Sequence, residues 1–219
     1  MTTLRNIKTF SLGLMIVLGL AAQSKMSHAQ ELKTLTVAGG CFWCVEADFE
    51  KVSGVKEAVS GFAGGQVANP TYKQVVKGGT GHLEAVQITY DPAQVQVSTL
   101  LNMFFRSIDP TDAGGQFCDR GKTYTTAVFA TPDQVSAANA AKAAAQADLG
   151  QTIVTPILTA DTFYPADGYH QDYYKQSAII LTRFGPKSKA KAYKAYRAAC
   201  GRDTRVKQLW GGAAPFAGS

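Results

Sequence analysis

The stretch Gly39-Gly40-Cys41-Phe42-Trp43-Cys44-Val45-Glu46 constrains this chain more than any other. The run before it, Leu35-Thr36-Val37-Ala38, reads as a strand. Behind it Val45, Phe49 and Val52 recur at i, i+4 and i+7 and predict a helix over 44–52. The paired glycines permit the sharp turn between the two. Cys41 is thereby set at or just before a helix N-terminus, where unpaired amides and the positive end of the dipole favour a thiolate. Such a setting lowers a thiol pKa from about 8.5 to roughly 3.5–7.5. Phe42 and Trp43 follow directly and can wall an apolar pocket. A buried, inert cysteine in a packed turn is the alternative, but glycines, thiol, aromatics and helix start together point to a nucleophile.

Residues 1–29 read as a signal peptide. Arg5 and Lys8 form a basic region, Phe10 to Ala22 an apolar core, and Ser27-His28-Ala29 a small-residue cleavage site. The apolar run is shorter than the ~20 residues a transmembrane helix needs, so no stable membrane insertion is expected. A secreted or periplasmic location follows. Removing this segment takes away three basic residues and no acid, which lowers the net charge from +6 to +3. The remaining length suits one domain with its own core, assigned to 30–185, followed by a basic tail over 186–219. That tail carries Lys187, Lys189, Lys191, Lys194, Arg197, Arg202, Arg205 and Lys207 and reads as a solvated face rather than a nucleic-acid site.

The four cysteines are Cys41, Cys44, Cys118 and Cys200. An even count in an oxidising compartment allows two structural disulfides, with three possible pairings. A domain of this size does not depend on staples, however, and Cys-x-x-Cys at a helix start suggests redox work. Zinc is disfavoured, because there is no second Cys-x-x-Cys and only His82 and His170 remain after the leader.

Along the chain, strands are expected over 55–62, 83–90, 124–130 and 156–163, and a short helix over 72–76. In the second of these strands Glu84 shares parity with Val86, Ile88 and Tyr90, which places a carboxyl on the core-facing side. Burial would keep it protonated near neutrality and make it a general acid. Ser98 reads as an N-cap for a helix ending at Asp109-Pro110, and Thr131-Pro132-Asp133-Gln134 as a capping-box start for a helix to Leu149. The loop 114–121, holding Cys118 and Asp119 with Tyr124 beyond, is a candidate site. Residues 167–174 read as helical beyond their glycine, with aromatics that serve packing. Residues 187–199 form a further helix, followed by a weakly structured end. Interspersed helices and strands at spacings too long for hairpins imply an α+β fold with helices against a mixed sheet.

With these residues placed, the chain resembles the A-type peptide methionine sulfoxide reductases over roughly 34–174. Four segments carry the resemblance in order: Gly40-Cys41-Phe42-Trp43, Asn69-Pro70-Thr71-Tyr72, Thr80-Gly81-His82-Leu83-Glu84, and Gly115 to Tyr124. The resemblance implies a ferredoxin-like α/β sandwich, with Cys41 as nucleophile, Phe42 and Trp43 around the substrate S-methyl group, and Glu84 as acid. Tyr72, Asp119 and Tyr124 would surround the sulfoxide oxygen. Attack on sulfur leaves a sulfenic acid that another thiol converts to a disulfide. Cys44, three residues away, is expected to resolve it first, and Cys200 in its mobile tail to take the disulfide over; Cys118 is the third candidate. No metal or organic cofactor is implied. The expected partners are oxidised proteins or peptides and a thioredoxin-like dithiol reductant, acting on a monomer. A thioredoxin-like exchanger is the first rival, but in that family's motif tryptophan precedes the first cysteine. A secreted domain with two structural disulfides is the second.

Overall fold

The computed structural model describes residues 31–218. The expected signal peptide, and therefore the cleavage site, lies outside the described residues. Strands β1 (Lys33–Gly39), β2 (Val55–Ala63), β3 (Leu83–Tyr90), β6 (Thr126–Ala130), β7 (Ile157–Thr159) and β8 (Tyr164–Pro165) form one sheet in the order β7-β6-β1-β3-β2-β8. All its pairings are antiparallel except β6 with β7, so the sheet is mixed. Helices α1 (Phe42–Phe49), α3 (Val97–Phe105) and α4 (Val135–Leu149) supply the apolar stripes that share its main core, while α2 (Tyr72–Lys77) carries Val75 into it. The core joins Val37, Val86, Ile88 and Val128 of the sheet to Phe49, Leu101, Phe104 and Ala141 of the helices. A smaller cluster on Ala38, Ala85, Ala127 and Phe129 lies under Phe163. This is the expected α+β sandwich.

Central β3 pairs with β1 and β2 along nearly its whole length, which fixes its register and hence the face each side chain takes. Val86 and Ile88 enter the main core and Ala85 the smaller cluster. Glu84, one pleat before Val86, is 1 % exposed on the core-facing side, as its parity predicts.

The segment beyond residue 185 departs from the expectation of a loose tail. Strands β9 (Ile179–Thr182) and β10 (Gly185–Ser188) form a hairpin, contrary to the expectation from spacing, and lead into α5 (Lys189–Ala199) and α6 (Arg202–Trp210). Its last residues are part of the body: Val206, Trp210 and Phe216 are buried in the main core, and the rings of Phe216 and Phe49 lie 5.4 Å apart. Buried Arg202 donates to Gly39 O at 3.1 Å and Ser107 O at 2.9 Å, tying the end of β1 to the end of α3. Trp210 donates to Ile108 O at 3.2 Å. The basic residues misled because buried cations look like solvated ones until their partners are known. Arg197 pairs with buried Asp48 at 2.8 Å, and buried Lys189 donates to Tyr169 O and Gln176 Oε1, each at 2.7 Å.

Local boundaries shift for identifiable reasons. Helix α1 begins at Phe42, because its cap is Cys41 itself. Ser98 is not a cap; α3 starts one residue earlier, after extended Gln96. Thr131 to Gln134 form a turn before α4, in which the Thr131 amide donates to Gln134 Oε1 at 3.2 Å. The short helix Lys122–Tyr124 occupies the expected start of β6, and two short strands replace the run expected at 156–163. Residues 168–175 are turns rather than helix, held by Gln171 bonding across to Ser60 and Ala166.

Candidate active site

The turn after β1 needs its glycines. Gly40 has φ +80°, and a Cβ there would stand 2.5 Å from Gln116 Cβ. The approach is close because Gln116 is fully buried, donating to Asp109 O and accepting from the Asp109 amide. One side chain thus seats the loop 114–121, strands β4 (Gly115–Gln116) and β5 (Asp119–Arg120), against the turn that precedes Cys41. Cys41 follows as the N-cap of α1, with extended backbone at φ −50° and ψ 115°, and its carbonyl accepts from the Cys44 amide at 3.1 Å.

Glu84 reaches this helix start from β3. Its Oε2 accepts the Phe42 amide at 3.0 Å, satisfying a first-turn donor that the helix leaves open. Burial, with negative Asp119 and Cys44 nearby, pushes its carboxyl up to about 8 against the pull of that amide. Tyr72 opens α2, which is set by a reciprocal capping box between Thr71 and Gln74. Tyr124 ends the short helix over 122–124, and Thr123 Oγ1 donates to Val75 O at 3.0 Å, locking the two segments together. The Tyr72 and Tyr124 hydroxyls share a hydrogen bond, and burial holds both above the usual phenol range. Asp119 is raised by burial, opposed by Arg202.

The thiols depart from the expectation for Cys41. Cys41 and Cys44 are both reduced and hydrogen-bonded through their side chains. That bond, with Arg202 and Arg197 behind it, pushes Cys44 down to about 7, whereas Cys41 is raised by the same bond, by burial and by Glu84 and Asp119. The helix start is overridden first by the bond to Cys44 and by burial, with Glu84 and Asp119 adding to them. The pair therefore gives up one proton easily and holds the second. Cys118 and Cys200 are joined by a disulfide, so Cys118 is neither free nor a packed interior residue: it is exposed, with Cys200 partly so.

Phe42 is buried among Phe62, Tyr72 and His170, with centroids 6.0, 6.1 and 5.4 Å away, while partly exposed Trp43 stacks on Tyr173 at 3.7 Å and 9°. Cys41, Trp43, Cys44, Cys118, Asp119 and Cys200 all line one cavity of about 550 Å³. Sequence reasoning missed His170 and Tyr173 as neighbours of the site, taking this aromatic run for packing alone. Among the described residues His170 Nδ1 is buried with no partner, and burial lowers the pKa of this ring, which lies beside Phe42 and Tyr72. Arg202 was also missed, since only tertiary packing brings it to the turn.

Residues 33–208 match the family model described as peptide methionine sulfoxide reductase. The chain belongs to that family, in its A type. A relative from Caulobacter vibrioides named peptide methionine sulfoxide reductase MsrA 2 is 45 % identical over 195 residues, covering 88 % of this chain and 93 % of the relative. Its namesake from Rhizobium meliloti is 47 % identical over 186 residues, 84 % of this chain and 87 % of its own. Among solved structures, reduced Mxr1 of Saccharomyces cerevisiae superposes with TM-score 0.63 at 31 % identity, covering 66 % of this chain and 85 % of that one. Methionine sulfoxide reductase A of Corynebacterium diphtheriae gives 0.60 at 34 %, with 65 % and 73 % covered. The chain is a peptide-methionine (S)-S-oxide reductase, converting methionine sulfoxide to methionine, and the resemblance of its four motifs to this family holds.

Proposed function

We propose that Cys41 is the nucleophile of this reductase and Glu84 its acid. The observation that carries the assignment is a buried carboxyl that accepts the Phe42 amide at the start of the very helix that Cys41 caps. A sulfoxide sulfur resists attack until its oxygen is protonated or strongly hydrogen-bonded. Glu84 presents a proton on the oxygen that Phe42 N–H does not occupy, and the Tyr72–Tyr124 pair offers a hydroxyl donor. Asp119 completes the polar side, while Phe42 and Trp43 form the apolar side for the S-methyl group. Substrate sulfur would take Cys41 as the thiolate once proton sharing shifts toward Cys44. The products are methionine and a sulfenic acid on Cys41, which Cys44 condenses to a disulfide with loss of water. A thioredoxin-like dithiol then restores the thiols, and no metal or organic cofactor takes part.

Export of the mature protein as a monomer, cut after Ala29, is part of the same reading, supported by the basic and apolar runs of the leader. Oxidised proteins outside the cytosol would be its substrates. The test is direct: each epimer of N-acetylmethionine sulfoxide is incubated with enzyme and a dithiol, and methionine is measured. The S epimer should be reduced and the R epimer ignored, with Cys41→Ser inactive on both. Activity retained in the serine variant would remove Cys41 from the mechanism.

A further inference from the structure

We propose that the open edge of strand β9 is the docking site for the main chain of an extended, oxidised polypeptide, which pairs there as a further strand and leads its methionine sulfoxide into the cavity. The proposal rests on the reading of that cavity as the one that takes the sulfoxide. Ile180 and Leu181 of β9 line it together with Cys41, Trp43 and Cys44. Ile180 packs against the cluster that holds Cys44 and Tyr173, so one face of the strand looks toward the thiols. Ile179 and Leu181, on the other face, are 71 % and 84 % exposed, the most exposed large apolar side chains among the described residues. Scattered apolar groups on a surface need no explanation, but these two stand on a strand with an unpaired edge.

The register of β9 shows which backbone groups are free. Among the described residues it pairs with β10 alone, Ile179 opposite Ser188 and Leu181 opposite Pro186. The Lys189 amide donates to Ala178 O at 2.9 Å, in continuation of that register. Antiparallel pairs alternate between bonded and non-bonded, so Ile180 and Thr182 bond to β10, while the N–H and C=O groups of Ile179 and Leu181 point to the open edge. Pro186, which has no N–H to give, stands at a non-bonded position, as this phase requires. The edge is also held still. Lys189 Nζ ties the base of the hairpin to Tyr169 O and Gln176 Oε1. At its tip the Arg183 guanidinium lies over the rings of Phe184 and Tyr196, at 4.8 and 5.3 Å. A strand presented in a fixed position costs its partner little ordering.

Position and charge select the occupant. A methionine sulfoxide within a polypeptide carries main chain on both sides, and β9 lies along the cavity that its side chain must enter. Strand addition draws its affinity from main-chain hydrogen bonds, which suits an enzyme whose substrates share one oxidised side chain and little else. The hairpin, residues 179–188, carries Arg183 and Lys187 and no acid. A second copy laid edge to edge would therefore bring like charges together, whereas a segment with acidic residues beyond its apolar ones is matched.

Two substrates separate the docking edge from the chemistry. N-acetylmethionine-S-sulfoxide has no flanking chain, whereas a blocked heptapeptide carries the same sulfoxide between Glu-Val-Thr and Thr-Val-Glu. With dithiothreitol as reductant, kcat/KM of the wild type for the heptapeptide should exceed that for the small substrate about tenfold, as two net main-chain hydrogen bonds provide. Two changes should bring that ratio close to one. The first is Leu181→Pro, which removes an outward N–H and obstructs the edge but breaks no bond to β10. The second needs no variant: the heptapeptide is N-methylated at its flanking amides, which keeps its side chains and removes its donors. A wild-type ratio near one, or a tenfold ratio that survives either change, would overturn the proposal. A loss in Leu181→Pro confined to turnover driven by a thioredoxin would give the edge to the reductant instead. A wild-type dimer in light scattering that Leu181→Pro abolishes would give it to a second copy. Failure of the wild type to reduce N-acetylmethionine-S-sulfoxide at all would refute the reading of the cavity, and the docking edge with it.

Discussion

The two cysteine pairs of this reductase are built from opposite materials. Cys41 and Cys44 lie three residues apart at the start of one short helix, with a glycine turn before them and a carboxyl from β3 beneath. Cys118 and Cys200 are 82 residues apart, one on an irregular loop and one at the end of α5, and meet only because the whole domain folds. The inner pair is governed by a low-dielectric setting, in which each neighbouring charge matters. The outer pair is governed by access. The difference teaches that the thiols most shifted by their neighbours are the hidden ones, whereas the sulfurs nearest to solvent are held in a disulfide.

The largest effect that would break this contrast is at Glu84. Glu84→Gln keeps the shape and the acceptor for Phe42 N–H but removes the proton, so single-turnover methionine formation should fall by roughly 10²–10⁴. The outer pair should not feel the change: reduction of Cys118–Cys200 by a dithiol should proceed at the wild-type rate. Equal single-turnover rates in variant and wild type would make Glu84 a helix cap and nothing more. In the wild type, kcat/KM should rise as the thiol pair ionises near 7 and fall as Glu84 loses its proton near 8; Glu84→Gln should lose the alkaline limb.

The same burial sets a stability trend of intermediate size. Glu84 is raised to about 8 and Glu46 to about 7, the latter mainly by burial, although Ser60 and the Asp172 amide hydrogen-bond to it. Both folded-state values exceed the unfolded one of about 4.3. Between those limits the folded protein binds more protons than the unfolded chain, so stability should decline as pH rises from about 4 to 8. Denaturant midpoints measured across that range should show the decline, and Glu84→Gln should flatten it. A midpoint that climbs through the window would mean that both carboxylates are already ionised in the folded protein.

Much of this was legible in the sequence, and what was hidden shares one physical character. The catalytic turn, β3 and the side on which Glu84 lies follow from period-two and helical patterns, which report local geometry. Gly40 could be tied to its turn because its positive φ is a backbone demand. Arg202, Asp48 and Arg197 were invisible as buried groups, because burial of a charge depends on partners that are remote in sequence: Asp48 and Arg197 are 149 positions apart. The same holds for the Cys118–Cys200 pairing, which spacing alone left among three possibilities. Cys41 differs from its expectation for a related reason: helix position is local, whereas the burial that raises it, together with the bond to Cys44, is set by the packed fold.

The smallest effect isolates the inner pair from everything around it. Cys44 is pushed down first by the hydrogen bond from Cys41, with Arg202 and Arg197 adding to it against burial. Cys41→Ala removes the leading influence and leaves the two guanidiniums in place, since Arg197 remains paired with Asp48 and Arg202 remains bonded to Gly39 O. The thiolate of Cys44 then loses a donor within a buried site, so its protonated form gains ground and its titration should move upward. A net hydrogen bond to a charged group is worth about 1.5–3 kcal/mol, which corresponds to a shift of roughly 1–2 pH units. The pH dependence of Cys44 alkylation by iodoacetamide, read by mass spectrometry on the Cys44 peptide, gives the midpoint. It should rise from near 7 toward or above the ordinary thiol value in Cys41→Ala, and stay near 7 when Cys118 and Cys200 are replaced by serine. If the outer substitutions move it as far as the inner one does, the two pairs are a single electrostatic unit and the contrast between them does not hold.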